Sequence, residues 1–194
     1  QHTLSLTHEL YKGLSSMPAQ TRFMQALEKE GLLDRAVEDL PDDAAMADRQ
    51  ERGQPLTRAE IGVLLAYAKI VLFAELVESD LPDDPSLVAM LQGYFPKAMQ
   101  KPYADEIKGH RLRREIIATL IANSVINRGG PTFVRDVVEK TGASSAEVAR
   151  AYLVARDTNA LQDIPAALDD LDNKLSWQDQ AALYDHPTML VQTQ

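Results

Sequence analysis

The apolar residues of this chain recur at intervals of three and four, the spacing that places side chains on one face of an α-helix. Residues 61–77 are the clearest case, because only Tyr67, Lys69 and Glu75 interrupt an otherwise apolar run. The pattern predicts a helix over 57–78. A helix that is apolar on all sides is typically buried, so we expect this one to lie at the centre of the fold.

A second long helix is predicted over residues 110–128. Its apolar positions form two rows, with Leu112, Ile116 and Leu120 in one and Ile117, Ile121 and Val125 in the other. We expect the helix to end at Gly129 and Gly130, because glycine readily adopts the left-handed conformation of a helix cap. Pro131 then prevents its continuation.

Local start and stop signals predict further helices. Thr57 and Glu60 have the spacing of a capping box, and so do Ser144 and Glu147. Shorter helices are expected at 18–30, after the acidic starts at 40–43 and 81–84, over 131–142, and from 176 onward. No segment shows the regular alternation of apolar and polar residues that is typical of a half-buried strand.

These elements together predict an all-α fold. We expect a single domain over 1–194, with about seven to nine helices packed around 57–78 and 110–128. A hydrophobic content of 45% is sufficient to form one core at this length.

Composition and charge exclude several classes of protein. The chain has no cysteine, so it has neither disulfides nor a thiolate metal site. Its net charge of −9 argues against binding to nucleic acid or to an anionic membrane surface. The apolar run at 61–77 contains two charges and is shorter than the roughly 20 residues that a membrane-spanning helix needs. No signal peptide is visible, and the absence of an initiator Met indicates an excised fragment.

The residues do not form a recognisable reaction centre. No glycine-rich turn between a strand and a helix is present, so no dinucleotide site is predicted. The histidines are scattered without metal-ligand spacing, and no metal site is predicted. Lys69 is the one lysine within an apolar helix, and we expect it to reach the surface or to pair with an acid. We therefore predict no catalytic, cofactor-binding or metal-binding residue.

Residues 137–156 have the pattern of a helix-turn-helix and raise the possibility of DNA binding. A recognition helix displays base-reading groups near its N-terminal end. The corresponding helix here begins with Ser145, Ala146 and Glu147, and the carboxylate of Glu147 would repel phosphate. A helix-turn-helix DNA-binding protein remains an alternative, as does a freestanding helical adaptor.

Six sequence blocks resemble one family. The blocks LTRAEI, AYAKI, SDLPDDP, HRLRREIIAT, NRGG and TGAS, taken together, resemble the C-terminal helical region of the large NAD-specific glutamate dehydrogenases of bacteria. The resemblance implies a cytoplasmic, homo-oligomeric parent enzyme of amino-acid catabolism that deaminates L-glutamate oxidatively to 2-oxoglutarate and ammonia with NAD. It also implies that the catalytic domain lies elsewhere in the polypeptide. This fragment would then be structural or regulatory, without NAD of its own, and its partners would be the remaining domains.

Five residues are candidates for contacts with those domains. Arg111, Arg114 and Arg128 belong to the strongest basic cluster of the chain, which either forms a solvated face with local ion pairs or docks against an acidic surface. Asn123 and Asn127 continue an inner row of the 110–128 helix, so their amides should be at least half buried and hydrogen-bonded. These amides either tie the neighbouring glycine loop or contact the missing domains.

Overall fold

The computed structural model describes Leu6, Glu9, Leu10, residues 12–158 and Asp179. In this part of the chain there are nine α-helices, joined by short turns, and no strand, which confirms the predicted all-α fold. The helices are α1 (Met17–Lys29), α2 (Asp43–Glu51), α3 (Arg58–Glu78), α4 (Val88–Tyr94), α5 (Lys97–Gln100), α6 (Ala104–Lys108), α7 (Arg113–Gly129), α8 (Phe133–Thr141) and α9 (Ser145–Thr158). The helices expected after residue 158 lie outside the described residues.

The α1–α2 pair is joined by a loop that folds around one buried arginine. Arg35 is only 6% exposed, and it donates to the carbonyl of Pro41 at 3.1 Å and to carboxylates of Glu28 and Asp43. Asp42 then caps α2 by accepting a hydrogen bond from the N–H of Ala45 at 2.7 Å. The predicted acidic helix start is therefore confirmed at this position.

The start of α3 is the capping box predicted from the sequence. The N–H of Glu60 donates to the hydroxyl of Thr57, and the N–H of Thr57 donates to the carboxylate of Glu60 at 2.6 Å. The Glu60 carboxylate also accepts two hydrogen bonds from Arg49 of α2, at 2.8 and 2.9 Å. Although burial acts to raise it, the pKa of Glu60 is lowered by these hydrogen bonds from Thr57 and Arg49.

The two long helices predicted from the sequence form the centre of the molecule. The buried side chains of α3 are Ile61, Leu64, Leu65, Ala68, Leu72 and Leu76, and those of α7 include Ile117, Ile121 and Val125. α3 packs along α7 more extensively than any other two elements of the described chain pack together. Burial of these side chains is the main source of stability, since each contributes roughly 1.5–3 kcal/mol.

The expectation that α3 is buried on all sides is wrong for one face. Ala66 and Ala74 are exposed, and Ile70 is 61% exposed. Among the described residues, α3 packs mainly against α7 and α9. Hydropathy gives the character of each position, but it does not determine which side of a helix the neighbouring elements cover.

The predicted helix–turn–helix at 137–156 is present as α8 and α9. α8 ends at Gly142 (φ 72°), whose N–H donates to the carbonyl of Val138 at 2.8 Å. Ser144 and Glu147 then form the predicted capping box of α9. Within α9, Ala149 is fully buried, whereas Ala151 is exposed.

Candidate interaction surface

An acidic turn follows α3 and is paired with arginines from two distant helices. Asp80, Asp83 and Asp84 lie in this turn, within the block SDLPDDP. Arg113 and Arg114 at the start of α7 both pair with Asp83. Two of the blocks that carried the family resemblance, SDLPDDP and HRLRREIIAT, are therefore in direct contact.

Arg114 also holds the C-terminal end of α3. Its guanidinium donates to the carbonyls of Val77 and Ser79, each at 2.8 Å. Such carbonyls at a helix end have no partner within the helix, and a cation placed there is favourable. The structure thus gives Arg114, which the sequence nominated for contact with other domains, a role inside the fold.

Arg150 of α9 completes the network around the acidic turn. It bonds to Asp84 at 2.8 Å and to Asp80 at 3.2 Å. Hydrogen bonds from Ser86 lower the pKa of Asp84, and the positive charge of Arg150 lowers it further. This pairing was not predicted from the sequence, because Arg150 and Asp84 are 66 residues apart in the chain.

Arg128 ties α7 to α9. Its guanidinium donates to the hydroxyls of Ser124 and Tyr152, both at 3.0 Å, and the Tyr152 hydroxyl donates to the Ser124 carbonyl at 3.0 Å. Tyr152 is only 3% exposed, so this polar group lies at a buried helix contact. Asn123 and Asn127 are partly buried on the same helix, as predicted.

The turn after α7 depends on its two glycines. A Cβ atom at Gly129 would lie 2.4–2.7 Å from Phe133, and one at Gly130 would lie 2.4 Å from a carboxylate oxygen of Glu9. Gly130 also has a φ of 86°, which an L-residue rarely adopts. Glu9 is 3% exposed and bonds to Lys12 at 3.0 Å. The end of the helix was predicted from the glycines, whereas their close approach to Phe133 and Glu9 was not.

Exposed aromatic and basic side chains recur along the segment that ends at Arg111 and Leu112. They are Tyr94, Lys97, Lys101, Tyr103, Lys108, Arg111 and Leu112, and we call them the basic–aromatic surface. Residues 94–114 contain six Lys or Arg and two Asp or Glu, in a chain whose net charge is −9. Tyr94 and Tyr103 are 58% and 50% exposed, so this surface combines apolar area with positive charge.

The open cleft beside the start of α9 does not favour a bound dinucleotide. The N-terminal end of α9 is already capped by Ser144 and Glu147, and the open cleft beside it is lined by the carboxylates of Glu75, Glu78 and Asp80. A pyrophosphate requires free N–H groups and no neighbouring negative charge. The residues of this cleft therefore disfavour the binding of NAD.

Metal binding depends on how the acidic groups of the described part of the chain are arranged, and membrane insertion depends on its helix lengths. Across these residues, His, Asp and Glu do not converge in a group of three or more that could hold a metal ion. Burial lowers the pKa of Lys69. Among the same residues, every helix is too short or too polar to span a membrane.

The described residues define an all-α fold whose helices are joined by internal ion pairs, with exposed aromatic and basic side chains along residues 94–112. Residues 53–194 match the family model described as "Glutamate dehydrogenase, C-terminal", and the chain belongs to this family.

Curated relatives carry the same family name. The chain is 41% identical over 162 residues to the NAD-specific glutamate dehydrogenase of Halomonas elongata, a match covering 84% of this chain and 10% of that protein. The corresponding protein of Pseudomonas aeruginosa is 42% identical over 164 residues, again 84% of this chain and 10% of the relative. That of Mycobacterium tuberculosis is 32% identical over 139 residues, 72% of this chain and 9% of the relative. The chain thus spans about a tenth of the length of these relatives.

Proposed function

We propose that residues 1–194 form one helical unit at the C-terminal side of a much longer NAD-dependent glutamate dehydrogenase. The family match over 53–194 carries this proposal, and the names of the three relatives support it. The parent enzyme oxidises L-glutamate to 2-oxoglutarate and ammonia with NAD as hydride acceptor, and acts as a cytoplasmic homo-oligomer. The helical unit carries no catalytic residue and binds no NAD. Its role is to pack against, and support, the remaining domains.

The basic–aromatic surface is the best candidate for the docking contact. Of the three arginines nominated from the sequence, Arg114 and Arg128 bond to other parts of the fold, whereas Arg111 is exposed. Interfaces are enriched in Tyr and Arg, and complementary charge favours association with an acidic partner. Asn123 and Asn127 remain secondary candidates, because their amides lie partly buried on α7.

The activity claim is tested with the 194-residue chain and the parent enzyme side by side. Titration calorimetry with NAD should give no binding heat for the 194-residue chain, and the absorbance of NADH should not rise when glutamate and NAD are added. The parent enzyme, as the positive control, should turn over. Measurable turnover by the short chain would contradict the proposal, and so would unchanged activity and oligomer size in a parent that lacks this region.

The docking claim is tested by reversing one charge. Arg111→Glu in the parent enzyme should weaken assembly or raise KM, since it places a negative charge in a contact made for acidic groups. Arg52→Glu is the matched control, because Arg52 is exposed at the C-cap of α2 and outside the basic–aromatic surface. If the two variants behave equally in analytical ultracentrifugation and in steady-state kinetics, Arg111 is not part of the docking contact.

A further inference from the structure

We draw no further inference here: the strongest candidate, the small crevice between α1, α3, α7 and α8 beside Glu75 and Arg135, holds a guanidinium that is already paired with Glu30, and nothing in the described part of the chain shows what would fill it.

Discussion

Individual arginines of the basic cluster have different roles that their sequence context does not distinguish. Arg114 bonds to two carbonyls at the end of α3 and pairs with Asp83, and Arg128 bonds to Tyr152. Arg111, three positions before Arg114, is exposed. The role of each arginine is set by which neighbour lies within reach of the guanidinium.

Arg114→Ala should destabilise the chain by about 1–3 kcal/mol, because it removes charge-assisted hydrogen bonds from carbonyls at a helix end. Arg111→Ala is the matched control and should change the free energy of unfolding by less than about 0.5 kcal/mol, as exposed substitutions generally do. Urea denaturation followed by circular dichroism measures both. Equal midpoints for the two variants would show that the carbonyl contacts of Arg114 contribute nothing to stability.

Glu60 should make stability depend on pH. Its folded pKa is lowered, so its contribution is fully present above the pKa of the unfolded state and is lost as the pH falls through the folded pKa. Glu60→Gln should therefore destabilise the chain near neutral pH, and the difference from the original chain should shrink as the medium becomes acidic. Thermal melts across this pH range provide the measurement. A difference that stays constant down to low pH would show that the charge of Glu60 is not involved.

At the scale of the element, α3 has two apolar faces that differ in exposure. One side carries Leu64 and Leu65 into the core, where they are 0% and 5% exposed. The other carries Ala66 and Ile70, which are exposed. The same residue types therefore stabilise the domain on one face and lie in solvent on the other.

Leu65→Asp should prevent folding, because a buried carboxylate without a partner costs several kcal/mol, comparable to a whole domain stability of about 5–15 kcal/mol. Ile70→Asp, on the same helix, should leave a cooperatively folded protein, since its side chain stays in water. Far-ultraviolet circular dichroism and thermal melting distinguish the two variants. A folded, cooperatively melting Leu65→Asp protein would show that the α3 core face is not central.

At the scale of the whole molecule, charge is strongly segregated. The chain is acidic, yet residues 94–114 are basic, and the arginines of α7 and α9 converge on one acidic turn. In general, an uneven charge distribution influences how a domain is steered toward charged partners more than it stabilises the fold.

The helix-turn-helix formed by α8 and α9 should not bind DNA specifically. The exposed side of α9 presents Glu147 and Asp157, and hydrogen bonds from Ser144 keep the pKa of Glu147 low, so that it is charged at neutral pH. Phosphate contacts need the opposite charge. Electrophoretic mobility shift with random duplex pools is the measurement. A sequence-selective, salt-resistant complex at nanomolar protein would contradict this prediction and favour the DNA-binding alternative.

The sequence by itself determined the helices, because their signals are local. The capping box of Thr57 and Glu60, the cap at Asp42 and the stop at Gly142 act within one turn of the chain, and the structure places all of them as predicted. The six motif blocks also indicated the family. Among the candidate contacts, the partial burial of Asn123 and Asn127 followed from helical periodicity.

The tertiary structure decided which side of each helix is covered and which charges meet. Arg114 reaches the end of α3 across 35 to 37 residues of chain, and Arg150 reaches Asp84 across 66. Hydropathy made α3 look buried on all sides, but in the described part of the chain Ala66, Ile70 and Ala74 are exposed. Such pairings depend on the positions of helices that are distant in sequence, and the position of each helix depends on how all the other helices pack.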